Sequence, residues 1–393
     1  MLVALSFVLS MIHPLHAQED DYALKDYTTP TRQLTVTEYP QFNDDLELAE
    51  LATAARLQLQ RFKTVDLSGT IELGGVKYPL KNAQKSLELV LELVDQFKTC
   101  RLVGTTSACF AALNAQIRSQ YNVFVPALAV GDPRYGEPQD SFFTGYATQP
   151  INARAKPSGD HTLPVYAMPD SAHQVLTRQE IDFKDGLKGQ NLELAYAADR
   201  YDLYMLHIEG GGYATLEDNG KTSHFYLTFA GTNQQKWTWI STYMLAKGYI
   251  NNLSNAAQRK YLRLHPEKHE EIFSQCPSYV YFTATASPPQ GSAGVSVTPG
   301  RSIATDRKLY TFKGLLAFVQ SQRPVDSGHY DMEEEDVSRI PFQPFSRFFI
   351  DQDTGGAITG KGRADLYFGI SDYAQYAAAY QAQKGNLFFL LAK

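Results

Sequence analysis

The chain has 393 residues, with 36 Lys plus Arg against 42 Asp plus Glu and a formal net charge of −6; that acidic balance excludes a non-specific nucleic-acid binder, which needs a basic surface. Hydrophobic residues at 44% and charged residues at 20% give enough apolar material for a core and too little charge for a disordered chain. The length implies two domains or one large domain with an insertion, and 24 Tyr, 22 Phe and 2 Trp favour strands and supply flat rings on which a sugar can stack.

Residues 1–17 contain no Asp, Glu, Lys or Arg. The apolar run from Leu2 to Ile12, then Pro14 and a small Ala17, reads as a signal peptide too short to span a membrane. No Cys lies in the first 99 residues, so soluble export is expected rather than lipid attachment. The location expected is the periplasm or the outer-membrane periphery. Residues 18–42 read as a polar, mobile leader. Asn43 then caps an amphipathic helix with Leu48, Leu51, Ala55, Leu59 and Phe62 on one face. A second helix is predicted over 80–98, with Ala83, Leu87, Val90, Val94 and Phe97 at three- and four-residue steps.

Cys100 and Cys109 either close a short loop in an exported protein or stay unpaired like Cys276. With no Cys-x-x-Cys pair, zinc is not expected. Beyond residue 120 the pattern turns to short aromatic or alternating strands, at 142–146, 204–209, 224–229, 279–283, 347–350, 366–368 and 387–391. A helical interlude over 236–275 breaks at His265-Pro266. His265 and His269 have the spacing of a helical metal pair but no accompanying Glu, and read as an exposed face. The acidic run 331–336 reads as a solvated loop.

The most informative stretch runs from Asp351-Gln352-Asp353-Thr354-Gly355-Gly356 to Gly362-Arg363-Ala364-Asp365-Leu366-Tyr367-Phe368-Gly369. A glycine-rich turn joins two strands, and Gly355 and Gly356 let the backbone approach a ligand or a neighbouring chain. Asp353 and Asp365 flank the turn, so both carboxylates can converge on one rim; by spacing alone such residues are more often turn formers than catalysts. A third Asp, in Gly300-Arg301-Ser302-Ile303-Ala304-Thr305-Asp306, precedes the pair.

This three-aspartate arrangement resembles the barrel domain of the MltA family, the membrane-bound lytic murein transglycosylase A type. Thr144-Gly145-Tyr146-Ala147-Thr148-Gln149-Pro150 resembles the family's Gly-Tyr-Tyr-(Thr/Glu)-Pro strand, and Leu163-Pro164-Val165-Tyr166, Gly231-Thr232-Asn233 and Cys276-Pro277-Ser278-Tyr279 follow in consistent order. The likeness covers about residues 140–393. It implies a mainly β fold: a double-psi β-barrel with flanking helices, interrupted by a second β-rich domain, with a glycan groove between them. The divisions expected are 43–149 plus 285–393 for the barrel and 150–284 for the insert.

The activity implied is that of a lytic exotransglycosylase, a murein-degrading lyase. It cuts the β-1,4 bond between N-acetylmuramic acid and N-acetylglucosamine without water and leaves a 1,6-anhydro ring. Asp365 matches the family's single catalytic carboxyl, donating a proton to the leaving oxygen and then taking one from the C6 hydroxyl. Asp353 would supply a like charge that keeps it protonated, or a hydrogen bond that orients it. Tyr146 and Thr148 are expected to line the groove and the amides near Gly355 and Gly356 to contact substrate. Asp306 and Arg301 are expected to be structural, with Arg301 pairing one of the aspartates or capping a loop.

No cofactor or metal is implied. The partners implied are peptidoglycan strands and a cell-wall synthesis complex, and the oligomeric state is left open. The sequence departs from the family at Glu209-Gly210-Gly211-Gly212, where members show Gln-Gly-Ser-Gly, and at 233–241. Two other readings stay open: a water-using β-1,4-glycanase with Asp353 and Asp365 acting together, and a glycan-binding module without activity.

Overall fold

The computed structural model describes residues 30–127, 141–218, 220–288, 290–355 and 358–393; the signal peptide expected over 1–17 and the leader up to 29 lie outside the described residues. The fold is mainly β. Six strands close a barrel in the order Ser141–Ala147, Ala382–Ala392, Leu316–Pro324, Phe342–Asp353, Ser302–Thr305 and Arg363–Gly369, and the last pairs back to the first. The ring closes because Ala382–Ala392 is long: its residues 382–385 pair with Ser141–Ala147 and its residues 386–390 with Leu316–Pro324.

The central stretches of these strands are rich in aromatic and aliphatic residues because both of their faces are buried there. Phe143, Ile303, Ala317, Val319, Phe349, Leu366, Leu387 and Phe389 pack together on one face. On the other, Leu316, Phe318, Phe348, Ile350 and Leu390 pack under the helices Leu51–Phe62 and Lys81–Arg101. Each fully buried Phe or Leu contributes about 1.5–3 kcal/mol relative to exposure.

Thr148 alone separates Ser141–Ala147 from Gln149–Arg154, the first strand of a second sheet. That sheet has the order Val280–Thr285, Lys221–Thr232, Gly211–Asp218, Gln149–Arg154, Glu193–Ala197, Leu163–Tyr166. A bridge from Ala167 to Phe282 nearly closes it into a second barrel. The chain therefore leaves the first barrel at Thr148 and re-enters it at Ser302, and the helices of 236–275, broken at Pro266, pack within this second region.

Several expectations are corrected. The first helix begins at Leu51, not at Asn43, because the Asp44 carboxylate turns inward to Arg301 and also accepts from the amides of Leu46 and Leu48. Positive φ at Glu47, Leu48 and Glu50 keeps 44–50 from being helical. The described part of the leader is tied down, since Thr31–Gln33 pairs with Tyr121–Pro126 and Phe42 is fully buried against Phe318.

Residues 204–209 are not a strand but the end of the helix Arg200–Glu209, capped by Asp199 and stopped by left-handed Gly210. Its apolar residues are buried all round, so no helical period stood out. The helix Thr106–Gln120 was not foreseen. The acidic run is not simply solvated: Arg263 grips Glu333 through two bonds of 2.8 and 2.7 Å, and Lys260 reaches Glu335 at 3.1 Å. His265 and His269 do not share one helix, because Leu264 ends one and His269 begins another.

Of the two readings left open for the cysteines, the structure adopts the bridge: Cys100 and Cys109 are joined across Cα atoms 5.7 Å apart, and Cys276 is a buried free thiol. The bridge pins the ends of Lys81–Arg101 and Thr106–Gln120 together. Reduction is expected to cost about 2–3 kcal/mol, the loop-closure entropy of a ten-residue loop. Urea midpoints that coincide with and without reductant contradict this.

Candidate active site

Strand register places the sequence-predicted carboxylates in one row. Ala304 pairs with Asp353 on one side and with Asp365 on the other, and Asp365 is in turn in register with Thr144. Residues directly opposite one another share a face, so Asp353, Ala304, Asp365 and Thr144 project together. The two aspartates stand two strand spacings apart, roughly 9–10 Å between backbones, with the small Ala304 between them. Two residues along, on the same face, Tyr146 and Tyr367 pack with Ala304 and Ile358, their ring centroids 5.0 Å apart.

Asp365 is fully buried, and its two oxygens differ. Oδ1 accepts from Arg363, in an ion pair of 2.6 Å, and from the Thr144 hydroxyl. Arg363 also donates to that hydroxyl at 2.6 Å, closing a three-membered network. Oδ2 is buried and has no hydrogen-bond partner. A buried acceptor without a partner costs about 1–3 kcal/mol, and Oδ2 is the oxygen of Asp365 that is not committed to Arg363 or Thr144.

Asp353 is also buried, and its Oδ1 accepts from the amides of Ser292 at 2.9 Å and Thr354 at 2.8 Å. Burial raises its carboxyl above the ordinary range, and those amides partly offset the shift. Its neighbour Asp351, pushed up to about 6 by burial, is held by Lys313 and Thr305 instead. Tyr146 is 8% exposed, a packed ring rather than an open platform; burial, then the charge of Asp353, pushes its hydroxyl far up. Thr148 is half-buried and bonds the Tyr367 hydroxyl at 2.7 Å. Tyr226, from the second sheet, lies close enough to Tyr367 to act on its hydroxyl and packs at a tilt against Tyr213, ring centroids 5.2 Å apart. The two sheets thus meet along an aromatic seam above the carboxylate row.

Gly355 is buried and its carbonyl accepts from Ile358, while Gly356 lies outside the described residues. Asp306 is spent on backbone, accepting from the amides of Lys308 and Gly360 at 2.8 Å each, which anchors the glycine-rich turn. Arg301 pairs with none of the three aspartates; it forms a bidentate pair with Asp44 at 2.6 and 2.9 Å, fully buried. Among the described residues no cluster of His, Cys, Asp or Glu could hold a metal ion.

Sequence reasoning missed three members of the site. Thr144 lay within a quoted motif, and Arg363 stands two residues before Asp365, on the same face of a strand, so both were legible. Glu209 was noted only as a departure from a pattern. It ends the helix Arg200–Glu209, and burial followed by the charge of Asp365 pushes its carboxyl up to about 8.

Comparison with known proteins gives a consistent pattern. A family model described as the MltA specific insert domain matches residues 142–283, and one described as the 3D domain matches residues 301–391. The chain is 28% identical over 314 residues to the membrane-bound lytic murein transglycosylase A of Vibrio cholerae, covering 75% of this chain and 80% of that protein. To its namesake in Escherichia coli it is 27% identical over 264 residues, covering 66% and 67%. Among solved structures, E. coli MltA with bound chitohexaose is 20% identical with a TM-score of 0.64, covering 95% of this chain and 97% of that one. MltA from Neisseria gonorrhoeae is 18% identical with a TM-score of 0.65, covering 92% of each chain. These structural likenesses establish the shared fold.

Proposed function

The chain belongs to the MltA family of lytic murein transglycosylases, and from that premise we propose that it cleaves the β-1,4 bond between N-acetylmuramic acid and N-acetylglucosamine in peptidoglycan, using Asp365 as its catalytic carboxyl. The glycosidic oxygen is a poor leaving group until it is protonated. Asp365, in its acid form, donates to it as the C1–O bond breaks; as a carboxylate it then takes the proton of the muramic C6 hydroxyl, whose oxygen attacks C1. The product is a 1,6-anhydro end, and no water and no cofactor take part. The observation that supports this assignment is the asymmetry of Asp365: Oδ1 is held by Arg363 and Thr144, while Oδ2 is buried and free.

In this reading residues 43–149 plus 285–393 form a double-psi barrel and 150–284 an inserted domain, with the glycan strand lying along the aromatic seam between them. Tyr146, Thr148, Asp353 and Gly355 line its path. The chitohexaose bound by the E. coli relative is a β-1,4-linked amino-sugar chain, which favours the same ligand class here. Export into the periplasm through 1–17 completes the proposal. The relatives are named membrane-bound; among the described residues no helix is long and apolar enough to cross a membrane.

Mass spectrometry of digested sacculi tests the reaction type. Muropeptides lighter by one water than their hydrolytic counterparts are expected. Reducing-end muramic acid in their place assigns the reaction to a water-using glycanase working through Asp353 and Asp365, and undigested sacculi that retain bound protein assign the chain to a binding module.

A further inference from the structure

The acidic run 331–336 has no part in the chemistry above, yet it ties the two regions of the chain together. Among the described residues each buried apolar cluster lies wholly on one side of the division. Four belong to the barrel and its helices and three to the insert. Such packing fixes each region internally and leaves their mutual orientation to other contacts. One is the seam where Tyr226 meets Tyr367; the other is this run.

Glu333 and Glu335 lie between the barrel strands Leu316–Pro324 and Phe342–Asp353. Their partners stand in the insert, on and just before the helix Asn255–Leu264. Arg263 donates through Nε and Nη2 to the two oxygens of Glu333 at 2.8 and 2.7 Å. Lys260 and Asn252 donate to the two oxygens of Glu335 at 3.1 and 3.2 Å. A single exposed ion pair contributes little. Here a bidentate fork and a second, doubly held carboxylate act side by side, with the two Glu side chains only 26% and 35% exposed.

Both ends of the tie are mounted on elements that lead to the groove. On the barrel side, the Tyr380 hydroxyl donates to the carbonyls of Asp331 and Glu334 at 2.9 and 3.0 Å, and Tyr330 packs on Tyr376. Both tyrosines of that helix, Asp372–Tyr380, thus hold the run, and the helix directly follows the strand that carries Asp365. Its Gln375 also donates to the carbonyl of Thr148, where the chain leaves the barrel, at 2.8 Å. On the insert side, Arg259 pairs with Asp202 at 2.8 Å, locking the helix to Arg200–Glu209. The strand after that helix pairs with Lys221–Thr232, which bears Tyr226.

We propose that Glu333 and Glu335, gripped by Arg263, Lys260 and Asn252, form an ionic strap that holds the insert at the angle to the barrel at which the glycan groove is ready for substrate. The strap touches no substrate; it acts by positioning one wall of the groove against the other. Without it the two regions swing about the crossings near Thr148 and 286–301, and only part of the population keeps the binding geometry. The inference rests on the glycan strand lying between the two regions.

The test compares the parent with the double variant Glu333→Gln, Glu335→Gln, and with the charge swap Glu333→Arg, Arg263→Glu. Two quantities are read: KM and kcat on soluble murein glycan strands, and the distance distribution between spin labels at Lys77→Cys and Lys188→Cys, one exposed position in each region. The double Gln variant is expected to raise KM about three- to tenfold, as the competent fraction falls in proportion, with kcat within about twofold, and to broaden the distribution. The charge swap is expected to recover most of both. In roughly 1 M salt, where screening is felt within about 3 Å, the parent should approach the variant.

A distance distribution that is the same in parent and double Gln variant overturns the strap, as does a fall in kcat with KM unmoved. A broadened distribution with both constants unchanged shows instead that the substrate does not lie between the two regions, which overturns the reading beneath the proposal. The distances need no activity, so they test the strap even if Asp365→Asn stays active and the catalytic assignment fails.

Discussion

Replacing Asp365 by Asn is expected to lower the rate of anhydro-end formation by about a thousandfold or more, within the range that general acid–base groups contribute, while leaving glycan affinity within a few-fold. The amide is nearly the same shape, and its oxygen can still accept from Arg363 and Thr144 in the place of Oδ1. What changes is the position of Oδ2, buried and unpartnered, where an NH2 group can neither deliver a proton to a leaving oxygen nor take one from a hydroxyl. Arg363 loses its counter-ion, but its side chain is 15% exposed, so water can take part of the load and the variant should fold. Single-turnover assays on isolated glycan strands, with binding measured on the same material, give the comparison. Activity within tenfold of the parent removes Asp365 from the chemistry, and a matching collapse of binding makes it a ligand-holding residue.

The carboxylate row shows what a sequence can and cannot convey about such a site. Asp353, Asp365 and the glycine-rich turn were visible because they lie within a dozen residues of one another, and strand alternation links Arg363 to Asp365 and Thr144 to Tyr146. That Ala304 stands between the two aspartates depends on a parallel pairing on one side and an antiparallel one on the other, and register between distant strands leaves no local trace in a single chain. Glu209 was illegible for a different reason. Its segment is apolar on every side, so the helix was read as a strand, and its approach to Asp365 is a consequence of how the second sheet docks on the first. Asn43 was misread as a helix cap because the partner of Asp44 beside it is 257 residues away: a polar residue before an apolar repeat looks like a cap until the distant cation is known.

That distant pair is where stability is expected to be most vulnerable. Asp44 and Arg301 have fully buried side chains, and the guanidinium also donates to the carbonyls of Ala49 and Phe348. The Asp44 carboxylate accepts in addition from the amides of Leu46, Leu48 and Phe348. Asp44→Ala leaves a buried cation without a counter-charge and three amides without that acceptor, so a loss of about 3–5 kcal/mol is expected.

Because burying both charges is itself costly, such a pair is often no net gain over apolar residues of similar volume. Asp44→Leu with Arg301→Met should therefore be less damaging than the sum of the two single changes, a coupling that urea unfolding of the four proteins measures. The consequence reaches the site, since Arg301 directly precedes the strand Ser302–Thr305, and its carbonyl accepts from Ile350 at 2.7 Å. Through Ala304 this strand sets the spacing of Asp353 and Asp365, so in Asp44→Ala activity should be lost at temperatures below those that melt the helices. A loss of stability under about 1 kcal/mol in the single variant, typical of an exposed pair, would show that the buried charges are not what holds that strand in place.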